Sequence, residues 1–386
     1  GADLHPSFKL SQTDGEWIIL SNPGGTIEDS VYLSSRITKE NHSFGRTTDG
    51  AATWSVFPVP TPNAANSGGT DFYMPRPTFV QQAGFYSGPQ NIEITVPAGG
   101  QVRYTLDGSV PNAGSTLYGG PINIANTTVI RAVTFGPQEE SIPTTATYLI
   151  DEPHNIPVVS VCGTGVYDLI ANGNGGSNEP TGNFELFEED GTFIESALGA
   201  FNKHGNDSWA YDQRGFDYIV RDEFGDQHKI DHQIFPDKAR DQFKRLILKP
   251  GANDNYPFED GAHIRDAFVQ TLSQKADLRL DERTWRPCVV YLNGEYWGVY
   301  ELREKYDDHN FTEEYYNQSE FYGENQNGIH LKKRGGVHGQ NTVLLTLNQN
   351  GMLYSTTFRQ MIWEFQQIST MSIVYTIGVH WLIISF

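Results

Sequence analysis

Short runs of alternating apolar and polar residues dominate the first 150 positions, and they predict β-strands rather than helices. Glu16–Ser21 (EWIILS) and Thr26–Leu33 (TIEDSVYL) flank Asn22-Pro23-Gly24-Gly25, turn chemistry that predicts a hairpin. Ser67–Met74 (SGGTDFYM) followed by PRP at 75–77 reads as a linker. Asn91–Val96, Gln101–Leu106 and Thr127–Phe135 are β-branched runs broken by Gly, Pro and Asp-Gly, the spacing of a small β-sandwich. A second boundary falls at Asp151–Pro157 (DEPHNIP), and beyond it the pattern becomes mixed α and β. Pro157–Cys162, Gly182–Phe187, Phe216–Arg221 and Phe243–Lys249 read as strands, with a flexible glycine-rich loop at Asn172–Gly176. Glu259–Ala276 has a helical period that places Ile264, Ala267, Phe268, Thr271 and Leu272 on one face. Arg286–Leu292 and Glu295–Glu304 alternate on either side of Asn293-Gly294, the strongest hairpin signal in the chain.

At roughly 150 residues per domain, 386 residues suggest two or three domains. The formal charge of -20 (47 acidic against 27 basic residues) argues against nucleic acid as a partner unless one local basic patch dominates, because such a surface repels phosphate backbones. The acidic balance, together with only four Met, suits a soluble exported protein, secreted or at the cell surface. The opening GADLHPSFKLS has no basic start or apolar run and reads as the middle of a domain. Two cysteines, Cys162 and Cys288, are too few for a disulfide scaffold or an all-cysteine zinc site. Both sit in apolar runs and read as buried thiols, with one disulfide between them as the alternative.

Nucleophile-elbow, zincin, P-loop and C-x-x-C motifs are all absent. His228 and His232 stand four apart but lie in a polar stretch beside Lys229, which reads as solvated surface rather than a metal site.

Three stretches resemble known families. Ser43–Arg46 (an S-F-G-R turn), Asp49-Gly50 and the ending Thr61–Asn66 resemble the closing part of a lamin-tail-type domain, an Ig-like sandwich, across residues 1–66. Arg103–Pro111 (RYTLDGSVP) with Leu117–Ile122 (LYGGPI) resembles the chitobiase/β-hexosaminidase C-terminal module, an accessory Ig-like sandwich, placed at 76–150. In that setting Asp107 is a turn residue, not a catalytic acid. HGNDSWAYDQRGFDYIVRDEFG from His204, FKRLILKPGANDNYPFEDGAHIRDAF from Phe243 and the hairpin Tyr291–Asp307 resemble the CotH (spore-coat protein H) kinase family.

The CotH resemblance implies an α+β domain distantly related to protein kinases, here its N-terminal part at 153–386. It also implies ATP-dependent serine phosphorylation of secreted or surface proteins, with ATP and Mg as cofactors. Carried over residue by residue, Gly205, Asn206 and Ser208 form a phosphate loop. Arg214 stands where the family usually has lysine, and a guanidinium binds phosphate as a fork rather than a point charge. Lys249 is a second cation, and Glu304 with Lys305 ends the hairpin where a hinge meets the nucleotide. Asp254, Arg265 and Asp266 lie at and before the start of the regulatory-type helix, with Arg265–Asp266 either a fold-holding ion pair or a nucleotide contact.

The family's two catalytic aspartates are not found: no Asp follows Asp308, and they are expected beyond Phe386. The apolar stretch from Ser369 is open to three readings: a buried helix, a tail altered by a frame slip, or a membrane segment. The last is disfavoured because the clean apolar run is short of the roughly 20 residues a bilayer needs. The alternative function is a non-catalytic adhesion or carbohydrate-associated protein that contacts surface polysaccharide through its sandwiches.

Overall fold

The computed structural model describes residues 12–13, 16–33, 38–62, 64–174, 179–225, 227–255, 261–278, 282–306, 311, 314–315, 332–335, 341–344, 372–377 and 380–385. Two compact units are present, Gly1–Glu304 and Lys305–Phe386.

The first unit opens with the expected hairpin. Glu16–Ser21 pairs antiparallel with Ile27–Leu33, and the Asn22 carboxamide oxygen accepts the amides of Gly24 (3.0 Å) and Thr26 (3.1 Å) to shape the turn. Ser43–Arg46, expected as a turn, is instead a strand paired with Trp54–Phe57, because Phe44 stacks on Trp54 at 5.2 Å across the pair. Nor is the stretch from Ser67 a free linker. Thr70 exchanges both backbone hydrogen bonds with Val56, and buried Tyr73 accepts the Lys39 amide at 2.9 Å.

Residues 78–150 form a sandwich. Its main sheet runs Thr116–Leu117, Gln101–Thr105, Thr128–Phe135, Thr144–Ile150, Gly84–Tyr86, and two short pairs face it, Gln90–Ile92 with Ile122–Ile124 and Thr78–Phe79 with Ile94–Thr95. Alternation puts Ile92, Ile94, Val102, Ile130, Ala146 and Tyr148 into one core.

The rest of the first unit is a closed seven-stranded barrel: β1 (Val158–Cys162), β2 (Thr181–Phe187), β3 (Phe193–His204), β4 (Gly215–Val220), β5 (Arg245–Lys249), β6 (Trp285–Leu292) and β7 (Glu295–Glu304). Neighbours follow the order β1-β2-β3-β4-β5-β7-β6, and the parallel pairing of β1 with β6 closes the ring. Phe184, Phe201, Phe216, Tyr218, Leu248 and Tyr300 point inward and fill it, with Phe184 stacked on Tyr218 at 4.5 Å. At Gly199 a Cβ would lie 2.3 Å from the Ile219 carbonyl oxygen, so only glycine lets β3 bend this closely over β4.

The mixed α+β layout expected here is therefore mostly β in the described residues. Helix α1 (Thr164–Asn172) follows β1, and Asn172, expected in a flexible loop, is its last residue before the left-handed cap Gly173. Helix α2 (Arg265–Lys275) lies within the predicted span. Its expected apolar face is not buried: Ala267 is enclosed, but Ile264, Phe268 and Leu272 are exposed. The contacts of α2 with the barrel are polar instead. Thr271 Oγ1 accepts the Trp285 indole N–H at 2.8 Å, and Gln274 donates to Thr284 Oγ1 at 2.7 Å.

Both cysteines are free and buried, and Cys288 lies in the barrel core. Burial pushes both thiols up, which keeps them protonated and inert.

The second unit is a four-stranded sheet in the order Lys332–Gly335, Asn341–Leu344, Ser372–Ile377, His380–Ser385. The described part of the tail, for which a buried helix is one of three readings, forms an antiparallel pair, as its β-branched content (Ile373, Val374, Thr376, Ile377, Ile383, Ile384) favours. Among the described residues no helix is long and apolar enough to cross a membrane.

Candidate functional site

One end of the barrel gathers most of the residues singled out by sequence. Strand pairing sets a row across it: His204 opposite Gly215, Phe216 opposite Leu248, Lys249 opposite Glu301. The loop leaving β3 and the end of β5 therefore stand two strands apart, roughly 10 Å.

Gly205, at φ 99°, turns the chain out of β3 into the 3-10 turn Asp207–Ala210. Trp209, unremarked in the sequence, fixes this loop. Its indole N–H donates to the carbonyls of His204 (2.9 Å) and Gly215 (3.0 Å), bridging both ends, while Lys203 Nζ sits 4.9 Å above the ring. Asn206 accepts the Trp209 amide at 3.1 Å through its backbone carbonyl. Ser208 belongs to the turn, but its side chain lies outside the described residues.

Arg214 does not reach into the loop's mouth. Its guanidinium donates to the carbonyls of Ile170 (3.1 Å), Ala171 (2.8 Å), Asp212 (3.2 Å) and Trp209 (3.2 Å). A cation on the last carbonyls of α1 satisfies groups the helix leaves open and complements its dipole. In this arrangement Arg214 pins α1 to the loop.

At the end of β5, Pro250-Gly251 leads into a second 3-10 turn, Ala252–Asp254, which packs against the first. Asp254 holds the start of α2: its carboxylate accepts the amides of Ala262 (2.8 Å) and Arg265 (2.9 Å) and pairs with Arg265 Nε at 3.0 Å. Against desolvation, which raises it, those amides and the Arg265 charge hold the Asp254 carboxyl below its ordinary value. Arg265 and Asp266, considered as an ion pair, take different partners.

Asp266 accepts hydrogen bonds from Lys249 Nζ and from Arg303 Nη1 (2.7 Å), and Arg303 also binds Glu301. Desolvation works against the charged form of Asp266, but Lys249 and Arg303 outweigh it and hold the carboxyl down to about 2. Glu301 shifts the other way, because burial outweighs its bond to Arg303. The result is a lysine oriented by a helix carboxylate and backed by a buried arginine. Arg303 and Glu301 escaped sequence reading, although their outward positions on an alternating strand were the available signal.

Glu304 does not join this end. It pairs with Leu246, three residues from Lys249 along β5 and roughly 10 Å away. Its side chain is fully enclosed, bound to buried Arg240 at 3.2 Å and to the Thr284 amide at 3.3 Å. A hinge role in contact with a ligand is thereby replaced by an internal ion pair. Lys305 opens the second unit.

His228 and His232 are also separated, His228 Nδ1 lying 3.0 Å from Thr13 Oγ1 and His232 Nε2 2.8 Å from Glu188. Among the described residues no group of three His, Cys, Asp or Glu is placed to hold a metal.

Family comparison agrees with these landmarks. Residues 81–147 match the chitobiase/beta-hexosaminidase C-terminal domain, and residues 201–360 match the CotH kinase protein family. The chain carries a CotH domain behind a chitobiase-type module. No curated protein matches the chain. The CotH match begins on β3 just ahead of the Gly205 turn and takes in Lys249, Asp254, Asp266 and the Asn293-Gly294 hairpin. Strands β1 and β2 with α1 precede it, so the matched segment is completed into a barrel by residues outside the match.

Proposed function

We propose that this chain carries the nucleotide-binding part of a CotH-type protein serine kinase acting on secreted or surface proteins, and that the Lys249 end of the barrel holds the phosphates of ATP. The observation that carries the reading is the Lys249–Asp266 pair, backed by Arg303 and set two strands from the Gly205 turn. Protein kinases likewise orient a strand lysine with a helix carboxylate before it meets the nucleotide phosphates. Lys249 would supply the point charge, and the backbone amides of the Gly205–Ser208 turn the hydrogen-bond donors. Arg214 contributes indirectly, by holding the turn against α1.

ATP would bring the transferable phosphoryl group. Mg would neutralise phosphate charge and takes only one or two protein carboxylates beside the phosphates, fewer than the groups of three His, Cys, Asp or Glu that are absent among the described residues. Azido-ATP photolabelling of the full chain, followed by peptide mapping, tests the placement. Label on peptides spanning 203–215 and 245–255 supports it, and label confined to other segments contradicts it.

A second reading, a non-catalytic surface or carbohydrate-associated binding protein, rests on the chitobiase/beta-hexosaminidase C-terminal match at residues 81–147. Specific capture of ATP by the Lys249 end separates the two, because an adhesion scaffold has no use for it.

A further inference from the structure

The two most recognisable turns in the sequence, Asp107-Gly108 of the chitobiase-type module and Asn293-Gly294 of the barrel, meet in space. Gly108 has φ +76°, and a Cβ there would lie 2.1 Å from Asn293 Oδ1. Gly294 answers it, since a Cβ at that position would come 3.2 Å from the Val129 amide nitrogen of the module. Behind the module's turn, Arg131 is 2% exposed and donates from Nη1 to the Gly108 carbonyl at 3.1 Å. Asp107 Oδ1 accepts the Ser109 amide (3.0 Å) and hydroxyl (2.6 Å), so the turn is rigid before it meets the barrel.

Two further contacts run beside this one. Thr147 of the module donates its hydroxyl to Glu185 on β2 and lies 2.8 Å from Ser160 Oγ on β1. Leu149, Ala83 and Phe85 of the module pack with Val158, Phe187, Val289 and Tyr291 of the barrel wall. Turn, polar pair and apolar cluster together make a specific junction.

Asn293 passes the contact onward. Its Oδ1 accepts the Gly163 amide at 3.0 Å, and Gly163 is the residue from which α1 starts. The last carbonyls of α1 are those held by Arg214, next to the Trp209 turn. We propose that the chitobiase-type module is an intramolecular clamp: its Asp107–Ser109 turn is the docking surface for the barrel hairpin, and Asn293 relays that docking to α1 and the Arg214 loop. On this account the turn is taken up by the chain's own barrel rather than offered to an external partner. The proposal stands apart from phosphate binding and survives or fails without it.

Hydrogen exchange on the full chain tests it, with Gly108→Ala, Asn293→Gly and the double variant. Glycine suits the φ of 52° at Asn293 and removes only the side chain. Gly108→Ala is expected to raise exchange about tenfold in α1 and in residues 209–215, while the distant pair Gln90–Ile92 with Ile122–Ile124 stays protected. Asn293→Gly should loosen α1 by a similar factor through loss of the Gly163 bond. In the double variant the second change should add far less than it does alone, because the left-handed strain at Gly108 persists but the clash does not. Additive effects, or loosening confined to the module, would overturn the clamp. Should Gly108→Ala fail to fold, Asn293→Gly alone decides: unchanged exchange in α1 refutes the relay.

Discussion

Replacing Glu185 by glutamine should stabilise the protein above about pH 4.5, with the full gain reached by about pH 7. Glu185 points outward from β2 beneath the module, is 1% exposed, and leaves Oε1 without a partner while Oε2 accepts from Thr147. Burial pushes its carboxyl up to about 7 from the ordinary 4.5, and the bond from Thr147 and the charge of Arg131 offset only part of this. Arg131 faces it from the module, and Thr147, Ser160 and the thiol of Cys162 complete its surroundings. The folded state thus holds the proton more tightly than the unfolded chain. Stability associated with this group is fully present below pH 4.5, declines as pH rises to about 7, and is flat above. At 1.36 kcal/mol per pK unit, the loss amounts to about 3 kcal/mol at most. Glutamine keeps an oxygen for Thr147 and carries no charge. Urea unfolding of the full chain, followed by tryptophan fluorescence, should show nearly equal stability at pH 4.5 and a gain of up to about 3 kcal/mol for the variant at pH 9. A difference independent of pH, or a variant less stable at pH 9, would refute the reasoning and mean that Glu185 is a paired anion.

Three other outcomes follow from particular contacts. Arg240→Ala strands the enclosed Glu304 carboxylate and should cost about 3–5 kcal/mol by denaturant unfolding, whereas an exposed pair would cost under about 1. Asp254→Ala removes the acceptor for the first amides of α2 and should cost about 1–2 kcal/mol, with loss of protection confined to residues 261–275 in hydrogen exchange. The 1–386 polypeptide should show no transfer from labelled ATP to a serine-rich acceptor in Mg²⁺ or Mn²⁺. A positioned acid–base group is worth about 10²–10⁴ in rate, and clear transfer abolished by a change within these residues would show that the catalytic acid is present.

Local signals carried the strands well. The hairpins at Asn22–Gly25 and Asn293-Gly294 form where turn chemistry and alternation agree, and two of the three resemblances, chitobiase-type and CotH, match family models. Closure of the barrel was not legible, because the pairing of β1 with β6 joins segments about 130 residues apart in sequence and leaves no local mark. Helix α1 was hidden by the glycines on either side of it, and the exposed face of α2 by the assumption that an apolar stripe must face the core. At the candidate site, Lys249 and Asp266 could be named from motif position, but their partner Arg303 could not. Arg214 and Glu304 carry charges whose use depends on what surrounds them: carbonyls of a helix end in one case, a buried arginine in the other. Charge type is visible in a sequence; burial and partner are not.

The central claim, that the Lys249 end of the barrel binds nucleotide phosphates, is tested most directly by calorimetric titration of the full chain with ATP and with adenosine, with and without Mg²⁺. Wild type should bind ATP and not adenosine. Lys249→Ala, with an unchanged circular dichroism spectrum, should bind ATP at least about tenfold more weakly, the loss expected for one charged hydrogen bond to phosphate. Equal affinity of wild type and Lys249→Ala for ATP, or equal affinity of wild type for ATP and adenosine, would contradict it.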